Sequence, residues 1–496
     1  MSKSQIKLNY KNVIADVIGD EHGITKEQWA SLAEKVGPLI PKIMKEIRGQ
    51  KRHPAITATR HGLLPENTEM VRKVLEQADR VRERGMCDNL VVLGIGGSAL
   101  GNIALQTALN PYMYNLDDKV RNGRPRLFVF DNVDPSQLSS FLNWLGDGLE
   151  RTVFNVISKS GRTAETAAQF LTIKHKLETQ YPREPLADRI VVTTGFERNE
   201  EGKPKSTLHK IAEAENPKLP LLEVPQDVGG RFSVLSAVGL FSAALCGIDI
   251  VELLAGASDM HERVSRESFK ENPAAINAAI CYHYYSHGKR NSVMMPYAHA
   301  LKDMADWYRQ LWAESLGKKT DLDNREVWIG PTPIKALGTT DQHSQVQLYR
   351  EGRNDKLFTF IEVKNFEDDV MIGPAPEGAA ELDYLSQKKM SALLNNEKKA
   401  TEYALVQDRR PNLTVLLDRV DAHAVGQFIY LFEITTSFVG ALFNINTYNQ
   451  PAVELGKEAT FALMGKKGDC KTVGKPYEEF AREIAAATEI DERYLV

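Results

Sequence analysis

The chain is poor in cysteine. Its 496 residues hold four, Cys87, Cys246, Cys281 and Cys470, with no CxxC spacing. That excludes a disulfide framework and a cysteine zinc site, and fits reduced thiols in a cytoplasmic protein. It also lacks an excess of either charge, since 62 lysines and arginines face 66 acidic residues, for a formal charge of −4. Proteins that coat nucleic acid or bind membrane surfaces usually carry a basic excess, so neither partner is expected. An anionic ligand must then be held by local residues. Long apolar runs are missing too. The most apolar stretch, residues 234–248, is interrupted by Ser236 and Ser242. A membrane span needs about 20 apolar residues, so this stretch reads as a buried helix. The opening MSKSQIKLNY has no apolar core of a secretory signal. No low-complexity segment and no direct repeat occur.

What is present is the rhythm of an α/β protein of about two to four domains. Residues 27–47 and 66–84 space their apolar positions three and four apart, which predicts helices. Short β-rich runs follow at 90–93, 127–130, 153–157, 190–193 and 221–224, with helical segments between most of them. That alternation predicts βαβ units on a parallel sheet, and runs such as LVVLGI predict burial on both faces. A second series of strands is expected at 292–297, 327–329, 357–363 and 413–417, with helices at 301–316, 341–349 and 422–442. Residues 364–399 read as a polar surface excursion. The tail, 454–489, reads as helical and broken by Gly474, Lys475 and Pro476.

Two loops are built to meet an anion. VVLGIGGSALG (91–101) runs from strand through glycine turn to helix, where backbone amides and a helix N-terminus favour negative charge. Gly97 and Ser98 lie at its turn. A tight βα turn with no ligand is the plainer alternative. A dinucleotide site is disfavoured, because Asp117 and Asp118 precede the next strand and Asp131, which ends it, lies too far along. ISKSGRTAET (157–166) packs Ser158, Lys159, Ser160, Arg162 and Thr163 into six residues, far more than a helix N-cap requires. His283 and His287 are spaced i, i+4 but lack the Glu of H-E-x-x-H and a clear third ligand, so zinc is rejected there.

These loops resemble those of sugar-isomerase domains. Four further blocks, DVGGRFSVLSAVG (227–239), YRQLWAESLGK (308–318), GTTDQHSQVQ (338–347) and YNQPAVELGK (448–457), extend the likeness. In this order they resemble the phosphoglucose isomerase family over about residues 90–460. The resemblance implies an α/β fold of two tandem parallel-sheet sugar-isomerase domains, each flavodoxin-like and three-layered, with helical N- and C-terminal extensions. The implied division is 1–85, 86–260, 261–455 and 456–496. It implies reversible isomerisation of glucose 6-phosphate and fructose 6-phosphate, with no cofactor and no metal, in a cytoplasmic homodimer.

The reaction must open a sugar ring, move a proton between C2 and C1, and stabilise an enediolate. By resemblance Glu314 is the proton-transferring base and Arg231 the fixed cation beside the developing charge. His343, from the neighbouring subunit, would open the ring with Lys457, an imidazole being suited to this near neutrality. Gln310, one turn before Glu314, contacts substrate, and Gln450 joins from its own block. The resemblance makes Ser98, Ser158, Lys159, Ser160 and Thr163 the phosphate clamp and Gly97 a further substrate-binding residue. Two positions depart from the family pattern. Arg162 stands where many relatives carry a small or hydroxyl residue, and Gln226 replaces an acidic or Asn-type one. A mannose-type or dual-specific isomerase is the near alternative. A one-domain sugar-phosphate sensor and an amidotransferase fit less well, the latter because no cysteine lies near the start.

Overall fold

The computed structural model describes residues 4–57 and 59–496. The first three residues of the opening stretch therefore lie outside the described ones. The chain forms two compact units, one ending at Thr447 and one comprising Tyr448–Val496.

The first unit contains two five-stranded sheets. One runs, edge to edge, Arg126–Phe130, Asn89–Leu93, Thr152–Ile157, Ile190–Thr194 and Leu221–Glu223, all parallel. In chain order this is 2-1-3-4-5, the flavodoxin-like winding. The central strands are buried at every position, which explains their unbroken apolar sequence. Val91, Leu93, Phe154, Val156 and Val192 enter a core with Phe170, Ile173 and Leu177 of helix Ala164–Gln180. All five strands stand where the sequence predicts them, within a residue or two at either end.

The second sheet runs Thr332–Lys335, Asn291–Pro296, Lys356–Val363 and Asn412–Leu417, again parallel and again 2-1-3-4. The two sheets thus share a winding that no direct sequence repeat announces. Here the outer edge is closed by Lys7–Asn9, antiparallel to Asn412–Leu417. The expectation that the first 85 residues are only helical misses this strand, because three residues carry no readable alternation. The expected sheet strand at 327–329 also needs correcting. Glu326–Ile329 pairs with Lys318–Thr320 in a separate hairpin, and Thr332–Lys335 takes the sheet position. The expected 27–47 helix divides into Lys26–Val36, a 3-10 turn Gly37–Leu39 and Ile40–Glu46, where Pro38 and Pro41 remove backbone donors. The expected 341–349 helix is a 3-10 turn, Thr340–Gln342, followed by helix Val346–Glu351. The 364–399 excursion is mostly loop until helix Met390–Gln407 begins.

Helix Ala237–Leu245 is buried at every residue, as its sequence suggests. Among the described residues, Ala422–Leu442 is the one helix long and apolar enough to cross a membrane, and its whole apolar window is buried inside the protein. Glu433 lies fully buried on that helix, and burial pushes its carboxyl well above the usual range. An apolar core disfavours the charged form of such a carboxyl.

In the second unit, helices Val453–Leu463 and Tyr477–Ala487 pack around Ala462, Cys470, Tyr477 and Phe480. A short antiparallel ladder, Asp469–Cys470 with Lys475–Pro476, separates them where the sequence predicts the break.

Candidate active site

The two anion loops follow adjacent strands of the first sheet, Asn89–Leu93 and Thr152–Ile157. This is where the strand order reverses, and ligands of open α/β sheets lie at such carboxyl ends. The first loop turns through Gly96 at φ +59°. A Cβ on Gly97 would stand 2.3 Å from the carbonyl of Gly230, so only glycine permits this turn to touch the GGR segment. A Cβ on Gly96 would stand 2.9 Å from Nε2 of Gln310. Three blocks far apart in sequence therefore meet at one turn. Beneath it, Asn102 donates to the carbonyl of Ser98 at 2.9 Å and accepts from Ser242.

The second loop is braced from within. The hydroxyls of Ser158 and Thr163 lie 2.8 Å apart, and Ser158 Oγ accepts from the Gly161 amide at 3.1 Å. Ser160 Oγ accepts from the Arg162 amide at 3.2 Å. Thr163 is the N-cap residue of helix Ala164–Gln180 without donating or accepting a side-chain cap bond, so a helix N-terminus opens onto the loop. Thr194, not identified from the sequence, donates to the Ser158 carbonyl at 2.6 Å and meets Ser206 at 2.6 Å. Lys159 reaches across to the GGR segment. Its ammonium donates to the carbonyls of Gln226 and of Val228, the latter at 3.0 Å. Burial holds this lysine below its ordinary pKa, with Glu197 and Asp227 opposing. Arg162 is exposed.

Arg231, buried on the turn Gly230–Phe232, is the fixed point of the cluster. Its Nε donates to Ser315 Oγ at 2.7 Å, one terminal nitrogen to Glu314 Oε2 at 3.1 Å, and the other to the Thr447 carbonyl at 2.7 Å. Gln310 Nε2 donates to Glu314 Oε1 at 3.0 Å, as expected for neighbours one turn apart on helix Lys302–Leu316. Glu314 thus has each oxygen oriented by a different donor, while its side chain keeps 34% of its surface in solvent. The held carboxylate and the fixed guanidinium thus lie against the Gly96–Gly97 turn.

The other sequence candidates belong to other segments. His343 caps the turn Thr340–Gln342 and is exposed; among the described contacts none joins it to Glu314, Arg231 or Gln310. Gln450 and Lys457 belong to the second unit, where Lys457 pairs with Glu454 at 2.8 Å. His283 and His287 stack with ring centroids 4.0 Å apart. Among the described residues no group of three His, Cys, Asp or Glu is placed to hold a metal ion. Sequence reasoning missed Ser315 and Lys318. The latter donates from Nζ to the Glu314 carbonyl at 2.6 Å.

The fold is that of the phosphosugar isomerases. Residues 56–475 match the phosphoglucose isomerase family model, and the chain belongs to that family. It is 46% identical over 406 residues to the glucose-6-phosphate isomerase of Carboxydothermus hydrogenoformans, covering 82% of this chain and 84% of that one. It is 40% identical over 468 residues to that of Rubrobacter xylanophilus, covering 94% and 99%. Among solved structures, a hypothetical protein of Thermus thermophilus superposes with a TM-score of 0.78 at 31% identity, over 93% of this chain and all of that one. A glucose-6-phosphate isomerase of Chlamydia trachomatis shares the fold, with a TM-score of 0.74 at 22% identity over 93% and 89%.

Proposed function

We propose that the chain interconverts glucose 6-phosphate and fructose 6-phosphate through ring opening and a cis-enediolate. Glu314 moves the proton between C2 and C1. The observation that carries this reading is the Glu314 carboxylate held between Gln310 and the buried Arg231 guanidinium. A base must be oriented toward one carbon-bound proton, and a charge that develops beside it needs a cation already in place. The phosphate is assigned to Ser98, Ser158, Lys159, Ser160 and Thr163, and Gly97 binds substrate beside them. Gln450 contacts the sugar, and Lys457 opens the ring together with His343 of a second copy. The exposure of His343 leaves its ring available to a second copy, as a composite site in a homodimer requires. The division into 1–85, 86–260, 261–455 and 456–496 belongs to the same proposal, as does a role in cytoplasmic glycolysis and gluconeogenesis.

The test is conversion of fructose 6-phosphate by the purified protein with a chelator present. Formation of glucose 6-phosphate at an undiminished rate is expected, and none formed sinks the reading. Lys159→Ala separates binding from chemistry. Removing an ammonium that ties the phosphate loop to the GGR segment should raise KM about tenfold or more, the scale of one charge-assisted contact, with a smaller change in kcat. An unchanged KM in steady-state kinetics would count against the clamp.

A further inference from the structure

Lys318 follows helix Lys302–Leu316 and opens the hairpin strand Lys318–Thr320. Its neighbour Lys319 has the ordinary surroundings of a surface lysine, exposed and paired with Glu326 at 3.1 Å. Lys318 instead is buried, and its Nζ turns back to donate to the carbonyl of Glu314 at 2.6 Å. The charged groups bearing on it are Arg231, from the turn Gly230–Phe232, and Glu314, from its own helix. Across the hairpin the register sets it opposite Ile329, which is uncharged.

A buried cation is costly unless something uses it. A lysine closing a helix C-terminus needs no burial, since its stem can lie on the surface. This one stands beside a second buried cation, Arg231, which makes its burial dearer still. The isomerisation proposed above passes through an enediolate, the stage at which extra positive charge is worth most. We infer that Lys318 is a positioning residue for this reaction. Its ammonium fixes the last turn of the helix that carries Glu314, and it adds a second positive charge behind Arg231. Burial and then the Arg231 guanidinium push the Lys318 ammonium down to about 7, against the pull of Glu314. The second charge is therefore present below neutrality and lost above it, so kcat should fall on the alkaline side with Lys318 deprotonation as its cause.

This inference rests on the isomerase reading, and the experiment separates the two. Steady-state kinetics with fructose 6-phosphate between about pH 5.5 and 9.5, a range that brackets the titration of a lysine lowered to near neutrality, are measured on the full chain and on Lys318→Gln and Lys318→Arg. Glutamine keeps a donor for the Glu314 carbonyl and removes the charge. Arginine keeps both and does not deprotonate in this range. Lys318→Gln should lower kcat about tenfold at about pH 6.5 with KM within about twofold, and lose the alkaline decline, as expected when one electrostatic group is neutralised. Lys318→Arg should retain most of kcat and show no alkaline decline within this range. Wild-type kcat and an unaltered profile in both variants overturn the inference while leaving the isomerase reading intact. A variant that melts earlier with kcat and profile unchanged marks Lys318 as a helix cap only, which also overturns it. If Lys318→Gln does not fold, the loss or persistence of the decline in Lys318→Arg decides alone. A wild-type protein inactive on fructose 6-phosphate overturns the isomerase reading itself.

Discussion

Glu314→Gln should bind phosphosugar nearly as the unaltered chain does and lose roughly two to four orders of magnitude of kcat, the usual contribution of a positioned general base. The geometry explains the expected split between binding and rate. Gln310 and Arg231 each hold one carboxylate oxygen, at 3.0 and 3.1 Å. A glutamine at 314 keeps the chain length and one oxygen that can accept from the guanidinium, so the anion loops and the GGR segment have no reason to move. What disappears is the one feature glutamine cannot imitate, a group that takes a proton from carbon and returns it. The phosphate contacts stay, so KM should stay within a few-fold. Exchange of substrate C2 hydrogen with deuterated water gives a second readout. It should collapse together with isomerisation, because both need the same proton transfer. A variant that exchanges normally yet isomerises slowly would place the defect after the enediolate, since the C2 hydrogen is acidic only once the ring is open. A variant near the normal rate in both would put the base elsewhere.

The parts of this site that could be read from sequence are those whose chemistry is local. A strand running into Gly-Ile-Gly-Gly-Ser, or a loop with three hydroxyls and two cations, marks itself as a candidate anion loop within ten residues. Both loops lie at the predicted strand ends, side by side at the switch point. The parallel sheet was legible for the same reason, since burial on both faces leaves an unbroken apolar run. What was not legible depends on long-range register. Lys7–Asn9 becomes a strand only because Asn412–Leu417 offers an edge far along the chain. Glu326–Ile329 has strand composition, yet it folds back on Lys318–Thr320 while its neighbour Thr332–Lys335 joins the sheet. Lys318 lies four residues after Glu314, and a sequence with 62 basic residues gives no sign that this one is buried. Nothing local says that Lys159 will reach the carbonyls of Gln226 and Val228, for the partner loop is contributed by a strand two places away.

Arg231→Lys tests the other half of the site, and it should cost about a hundredfold to a thousandfold in kcat/KM, the scale of losing one fixed electrostatic donor. The substitution preserves the charge, so the loss must come from shape. The guanidinium divides its donors among Ser315, Glu314 and the Thr447 carbonyl, three groups on two separate segments. A planar fork reaches all three at once, whereas an ammonium is a single point on a flexible stem. Lysine would satisfy one of these acceptors and leave the others without the guanidinium donor, and the charge would be centred away from Glu314. Removal of the charge, Arg231→Ala, should act differently. It breaks a buried ion pair and should cost about 3 kcal/mol of stability, the low end for such pairs because Glu314 keeps a third of its surface in solvent. Rate and denaturation midpoint measured on both variants separate the effects. Lysine should lose rate with a small shift in midpoint, and alanine should lose both. If Arg231→Lys keeps its rate within about threefold, positive charge alone suffices at this position, and the fork geometry has no part in stabilising the enediolate.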